Sequence, residues 1–319
     1  MSEHRLSTKS THNRWNRDLA PALEVEPGDI VKFDCLDSSG GQVGPGSTVD
    51  DFLKIDRNQI HTLTGPVAIK GAKPGDTLRV DILYIQHQGW GWSSITPGLG
   101  FLPERFADPF LFIWDLDEDS TDSLPPAIVP LRPFCGVMGV APADPGEMRT
   151  RRPGVFGGNM DVKDLVAGST LYLPIFTEGG LFSLGDVHAA QGDGEICING
   201  IECPAVVTVR LSLLDGSRLT APMLETNYRH RASGGEWTII ESDEDPMMAA
   251  RRAVNRMIDF LIQNWKFSAE HAYLLCSVAM DLRIHQVVNT PVITIGATLP
   301  KSLLPLLKKP AIGEVRSET

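Results

Sequence analysis

The run Val206-Val207-Thr208-Val209-Arg210-Leu211-Ser212-Leu213 alternates apolar and polar residues with a period of two. Val207, Val209, Leu211 and Leu213 fall on one face and Thr208, Arg210 and Ser212 on the other, which is the pattern of a half-buried strand. Upstream, other strand-like segments each follow a turn. Glu26-Pro27-Gly28-Asp29 precedes Ile30 to Leu36, and Lys73-Pro74-Gly75-Asp76 precedes Thr77 to Ile85. Ala167-Gly168-Ser169 repeats the device more weakly before Thr170 to Phe176. Pro presets φ and Gly supplies the left-handed position that a tight turn can require. The recurrence reads as turn chemistry, with a duplicated β unit as the alternative.

Downstream the period changes. Asp245 can cap a helix, Pro246 suits its first position, and Ala250, Val254, Met257, Ile258 and Leu261 form one apolar stripe, read as core packing. Ser268 caps a second helix through Met280. The expected fold is mainly β, a β-sandwich- or barrel-like body with a smaller α+β part toward the C-terminus. Residues 1–15 and 308–319 read as tails. Residues 16–307 read as one domain of two intimate lobes, with a boundary near 115–130. That boundary lies in the acidic, Pro-rich stretch Leu111 to Pro130, expected to be a surface loop.

Of 319 residues, 29 are Lys or Arg and 40 are Asp or Glu, a formal net charge of −11. This balance works against a phosphate-tracking surface and against an anionic membrane face, so neither nucleic acid nor membrane is expected as a partner. A neutral or cationic small substrate suits it better. No stretch approaches the roughly 20 apolar residues of a spanning helix, and the polar segment Met1 to Asn16 lacks the apolar core of a secretory signal. The five cysteines, Cys35, Cys135, Cys197, Cys203 and Cys276, are scattered without a CxxC pair. Neither a disulfide scaffold nor a thiolate zinc site is indicated, and a reduced, cytoplasmic location is expected.

The most informative stretch for chemistry is Gly185-Asp186-Val187-His188-Ala189-Ala190-Gln191-Gly192-Asp193-Gly194-Glu195. On a strand, side chains two apart share a face, so Asp186 and His188 converge. A carboxylate and an imidazole there make two ligands of a mixed N/O site for zinc or a similar divalent ion. Gly192 and Gly194 permit a turn that swings Glu195 back as a general base. The bland alternative is a hairpin turn with an incidental D-x-H. His61, between Ile60 and Thr62, and His12 are each ambiguous between ligand and ordinary packing. Asp37 is in phase with Val31, Phe33 and Cys35, which would bury its carboxylate; it caps a turn if the strand stops at Leu36. No GxSxG elbow exists, and neither Cys35 nor Cys135 has a basic neighbour in sequence. Gly89-Trp90-Gly91-Trp92 and Gly100-Phe101-Leu102 suggest aromatic loops hinged by glycine that could wall a small pocket.

With these residues in view, the chain resembles the acetamidase/formamidase family. Matching strings run in order: His12-Asn13-Arg14-Trp15, Pro27-Gly28-Asp29, Cys35-Leu36-Asp37 with Gly41-Gln42, His61 with Thr64-Gly65-Pro66, and Gly71 to Asp76. Trp90-Gly91-Trp92, Pro133 to Pro142, Gly157-Gly158-Asn159-Met160-Asp161, Gly185 to Glu195, Ala272-Tyr273 and Asp281-Leu282-Arg283-Ile284 complete the pattern. The resemblance, closer to the acetamidase branch, implies hydrolysis of formamide or acetamide to carboxylate and ammonia, and homo-oligomeric assembly. It favours Asp37 and His61 as metal ligands beside Asp186 and His188, around zinc, with a second ion such as calcium as a further expectation. Glu195 and Asp193 become the catalytic carboxylates, and Gln191, Asn159, Trp90 and Trp92 the substrate contacts. The rivals are a metal-containing ligand-binding sandwich without turnover, and a metal-dependent hydrolase or lyase of another class.

Overall fold

In the computed structural model, which describes residues 1–215, 219–227, 234–304 and 314–315, the alternating run lies inside the strand Ala205–Asp215. Val207, Val209, Leu211 and Leu213 are fully buried. The strand pairs antiparallel with Ile30–Cys35 on one side and Thr77–His87 on the other. It therefore sits inside a ten-stranded sheet that continues through Thr170–Pro174, Met223–Glu225, Glu236–Asp243 and Ile293–Pro300 to the edge strand Asp281–Gln286. A six-stranded sheet has Phe134–Gly139, Phe182–His188 and Leu63–Ile69 at its centre. Residues of both sheets, among them Val31, Leu78, Val209, Val67, Val137 and Leu184, form one hydrophobic cluster. The fold is mainly β, as the alternation implied.

The recurring turns do the same job in the same way. Gly28 and Gly75 are left-handed, with φ of 96° and 93°. Asp29 accepts the amide of Glu26 at 3.3 Å, and Asp76 accepts that of Lys73 at 3.1 Å. The Asp that ends each turn thus closes it before a strand begins.

Two helices pack near one end of the large sheet. Asp245 caps Pro246–Trp265 by accepting from Met247, and Ser268 caps Ala269–Ala279 by accepting from His271. The buried stripe is Ala249, Ala253, Met257, Phe260 and Leu261. The expected stripe is therefore rotated, with Ala250 and Val254 only half-buried. Phe260, unassigned in the sequence reading, sets the face by packing on Trp237 at 5.3 Å.

Residues 1–15 are not a tail. Glu3–Leu6 pairs parallel with Ile30–Phe33, and the carboxylate of Asp29 accepts from the Ser2 amide at 2.5 Å and faces His4 Nε2 at 2.8 Å. The stretch from Leu111 is not loop throughout either: Phe110–Asp115 pairs with Trp90–Ile95 as a two-stranded ribbon. Of the expected C-terminal tail, only Glu314–Val315 is among the described residues, paired with Leu214–Asp215; the rest lies outside them.

Candidate active site

The strand Phe182–His188 is buried at every position, so a simple inward–outward alternation would send Asp186 and His188 into the core with Phe182 and Leu184. Asp186 prevents this. Its backbone is left-handed, φ 54°, which breaks the alternation. Phe182, Leu184 and Val187 join the core, while Asp186 and His188 line a cleft of about 190 Å³. The convergence expected of Asp186 and His188 is present, but through a kink rather than through a regular strand.

Gly136, on the neighbouring strand, makes the space. Its carbonyl accepts the amides of Met160 and Asp161 at 3.1 and 3.2 Å, which fixes Asp161 beside Asp186. A Cβ at 136 would stand 2.5 Å from Asp161 Oδ1 and 2.8 Å from Asp186 Oδ2, so no residue but glycine fits without displacing them. Asp161 and Glu195 are also left-handed, with φ of 51° and 48°. Such backbone costs of order 1–3 kcal/mol per residue for a side chain other than glycine.

Around His188 the polar contacts are specific. Gln191 donates its amide to the Asp161 carbonyl at 2.9 Å, so its Oε1 faces His188 Nδ1 at 2.7 Å. That contact requires a proton on Nδ1 and turns Nε2 toward the acids. Nε2 lies 2.8 Å from Glu202 and 3.6 Å from Asp186. Asp161, Asp186 and His188 form one group of converging donors; His188, Glu195 and Glu202 form another. Buried oxygens of Asp161, Asp186, Glu195 and Glu202 have no hydrogen-bond partner.

Electrostatics follow from that crowding. Burial pushes Asp161 and Glu202 each up to about 7, with Asp186 adding to both. Burial, then Asp161, raises Glu195 well above the carboxylate range. Burial opposes ionisation of Asp186 too, but His61 and His188 outweigh it and hold that carboxyl below its ordinary value. For His188, burial is outweighed by Glu202 and Asp186, which raise it well above an ordinary imidazole. Four buried carboxyls facing few cations form an environment that a cation would relieve.

Comparison with known proteins fits this geometry. The profile of the acetamidase/formamidase family matches residues 2–152 and 145–305. The chain belongs to that family. It is 30% identical over 259 residues to a formamidase of Methylophilus methylotrophus, covering 64% of each chain. It is 29% identical over 342 aligned positions to an acetamidase of Mycolicibacterium smegmatis, covering 83% of this chain and 84% of that one. The crystal structure of a recombinant predicted acetamidase/formamidase from Thermoanaerobacter tengcongensis superposes with a TM-score of 0.88 at 29% identity, covering 95% of this chain and 98% of that one.

The family strings are distributed unevenly about the cleft. His61 lines it, with Nε2 3.8 Å from Asp186. Asp37 does not join either donor group: the strand stops at Cys35, and Asp37 accepts from the amides of Ser39 and Gly41, from the Ser39 hydroxyl, and from Trp92 Nε1 at 3.1 Å. It is a turn cap and a tether for Trp92. Trp92 walls the cleft against Phe52, with ring centroids 5.7 Å apart, whereas Trp90 packs in the adjoining apolar cluster. Both lie on a strand, not on a glycine-hinged loop.

Asp193 points elsewhere, ion-paired with Lys163 at 3.2 Å and Arg283 at 3.0 Å. Asn159 is buried, its side-chain oxygen without a hydrogen-bond partner, and Gln191 holds His188 as described. His12 is satisfied by the Arg14 carbonyl and Ser183, and Asp34 pairs with Arg5 at 2.9 Å. Burial pushes the Cys35 thiol up to about 12 and Cys135 well above its ordinary value, which leaves neither available as a nucleophile.

Sequence reasoning missed Asp161 as a donor, and Glu202 altogether. Glu202 carried a signal: an acid lodged between Ile201 and Cys203 in an otherwise apolar run. Its backbone pairs both ways with Trp92 at 2.8 Å, which no spacing rule reveals.

Proposed function

We propose that the cleft hydrolyses the C–N bond of a short aliphatic amide to carboxylate and ammonia. The relatives named acetamidase and formamidase support this reaction class. The observation that carries it to this site is the set of buried, partnerless oxygens on Asp161, Asp186, Glu195 and Glu202 beside His188. Such oxygens, next to an imidazole whose Nε2 is turned toward them, fit a divalent cation. Asp161, Asp186 and His188 would hold it, with His61 alongside. A mixed imidazole–carboxylate set favours zinc; an all-oxygen set would favour calcium. Bound there, the ion would polarise the amide carbonyl and make a nearby water acidic.

The chain's own residues supply the rest. Glu195 takes the proton of the attacking water and returns it to the leaving nitrogen, which must depart as an amine. Gln191 fixes the His188 ring. Trp92 and Phe52 give the acyl end an apolar wall. We place Asp37, Asp193, Asn159 and Trp90 outside the reacting shell, as supports of it.

We also infer a homo-oligomer in a reducing, cytoplasmic compartment. Tyr273, Leu274 and Val278 on the last helix and Leu282 and Ile284 on the edge strand are exposed apolar residues close in sequence, a combination that association would cover. All five cysteines are free. No helix among the described residues is long and apolar enough to cross a membrane.

The test is ammonia release from formamide, acetamide, propionamide and longer amides, with elemental analysis of the same preparation and its mass by light scattering. Activity should fall with chain length and vanish on chelation. Absence of ammonia from every amide would sink the reading.

A further inference from the structure

Arg57, Arg149 and Arg151 line the same cleft as His188 and Glu195. The chain has 40 acids and 29 bases, and several of its arginines meet carboxylates. Arg79 meets Asp81 at 2.9 Å, Arg252 meets Glu241 at 3.1 Å, and Arg283 meets Asp164 at 2.7 Å. Among the described residues the three cleft arginines have no such ion pair. Arg151 donates to the Val288 carbonyl at 3.1 Å, Arg149 to the Arg57 carbonyl at 2.7 Å, and the Arg57 guanidinium lies 5.7 Å from the centre of the Phe52 ring.

Arg57 and Arg149 are exposed and Arg151 is half-buried, but the segment that carries Arg149 and Arg151 is fixed. Thr150, between Arg149 and Arg151, is fully buried and bonds both ways to the His61 backbone, each bond at 3.0 Å. The segment is thereby clasped to a wall of the cleft. Burial and the neighbouring Arg149 depress the Arg151 guanidinium below its ordinary value, against the opposing pull of Glu195 and Asp161.

Formamide or acetamide gives three guanidinium groups nothing to neutralise. A guanidinium fork matches a carboxylate in shape and charge.

We propose that the amide taken by this cleft carries a carboxylate of its own, as in a half-amide of a short dicarboxylic acid, and that Arg151 with Arg149 and Arg57 reads that charge. The inference rests on the amidase reading and narrows its substrate class. It also departs from the expectation, drawn from net charge, of a neutral or cationic substrate, because the three arginines stand together along this one cleft beside its carboxyls.

The experiment compares kcat/KM, by ammonia release, for acetamide, malonamate and the methyl ester of malonamate. The ester keeps the size and amide of malonamate but lacks its charge. Malonamate should exceed the ester at least ~10-fold at low ionic strength. The gap should narrow near ~1 M salt, where screening acts over about 3 Å. Arg149→Gln and Arg151→Gln should each lower the malonamate-to-ester ratio about 10-fold, as for loss of a charge-assisted contact. If either variant fails to fold, the wild-type preference and its salt dependence decide. An ester used as well as malonamate overturns the proposal while leaving the amidase reading intact; silence on all three amides overturns both.

Discussion

Two buried acids in this molecule look alike in sequence and differ in kind. Asp37 and Asp186 each sit at the end of an apolar strand, and each is almost wholly inaccessible, at 1% and 2%. Every contact around Asp37 is a donor: two amides, a hydroxyl and an indole N–H. Asp186 keeps an oxygen with no partner and shares its surroundings with three further carboxyls. Burial alone therefore does not mark a reacting group. What separates the two acids is unmet demand: the Asp37 carboxylate is satisfied within the chain, and an oxygen of Asp186 is not.

The largest effect expected from this contrast lies at Glu195. Glu195→Gln preserves shape and hydrogen bonding but cannot accept a proton. It should cost ~10²–10⁴-fold in turnover, with bound metal retained by elemental analysis. Near-normal turnover would remove the base role.

Next come the donors themselves. Asp186→Ala and His188→Ala should each lower divalent-ion affinity by more than the ~10–100-fold typical of a supporting residue, read by competition with a chelating dye. Full metal content in both variants would place the ion elsewhere.

Asp37→Asn should behave in the opposite way. It puts an amide group among donors and should destabilise the fold by about 1–3 kcal/mol, measured by urea denaturation, with metal content unchanged. Loss of metal without loss of stability would erase the distinction between the two acids.

The smallest effect concerns a third buried acid. Burial would raise Asp29, but hydrogen bonds from Ser2, His4 and Glu26 hold it below the ordinary carboxylate value. A depressed folded pKa stabilises above the unfolded value, near 3.9 for Asp, and that stability fades as pH falls through the folded one. Amides of residues 3–6 should accordingly lose hydrogen-exchange protection below about pH 4 before the rest of the sheet does. Protection persisting through that range would detach the first strand from Asp29.

Much of the fold was legible because it rests on local rules. The alternation at Val206 to Leu213, the Pro-Gly-Asp turns, and the caps Asp245 and Ser268 are each decided within a few residues. The rotated helix stripe was not, because Phe260 takes its orientation from Trp237 across the packing interface. In the site, Asp186 and His188 could be found from spacing. Asp161 and Glu202 could not be assigned, since Gly136 and the Trp92 strand bring them in from other segments. Asp37 misled for a physical reason: a strand that stops two residues early turns a phase argument into a turn cap.

The left-handed backbone at Asp161, Asp186 and Glu195 has a consequence for how this protein responds to selection. Glycine at any of these positions would relax the backbone and remove one of the mutually repelling carboxyls. A library scored only for solubility or thermal tolerance should therefore enrich glycine there, yielding sturdier molecules that no longer turn over. The enrichment would be a map of the site drawn without any substrate.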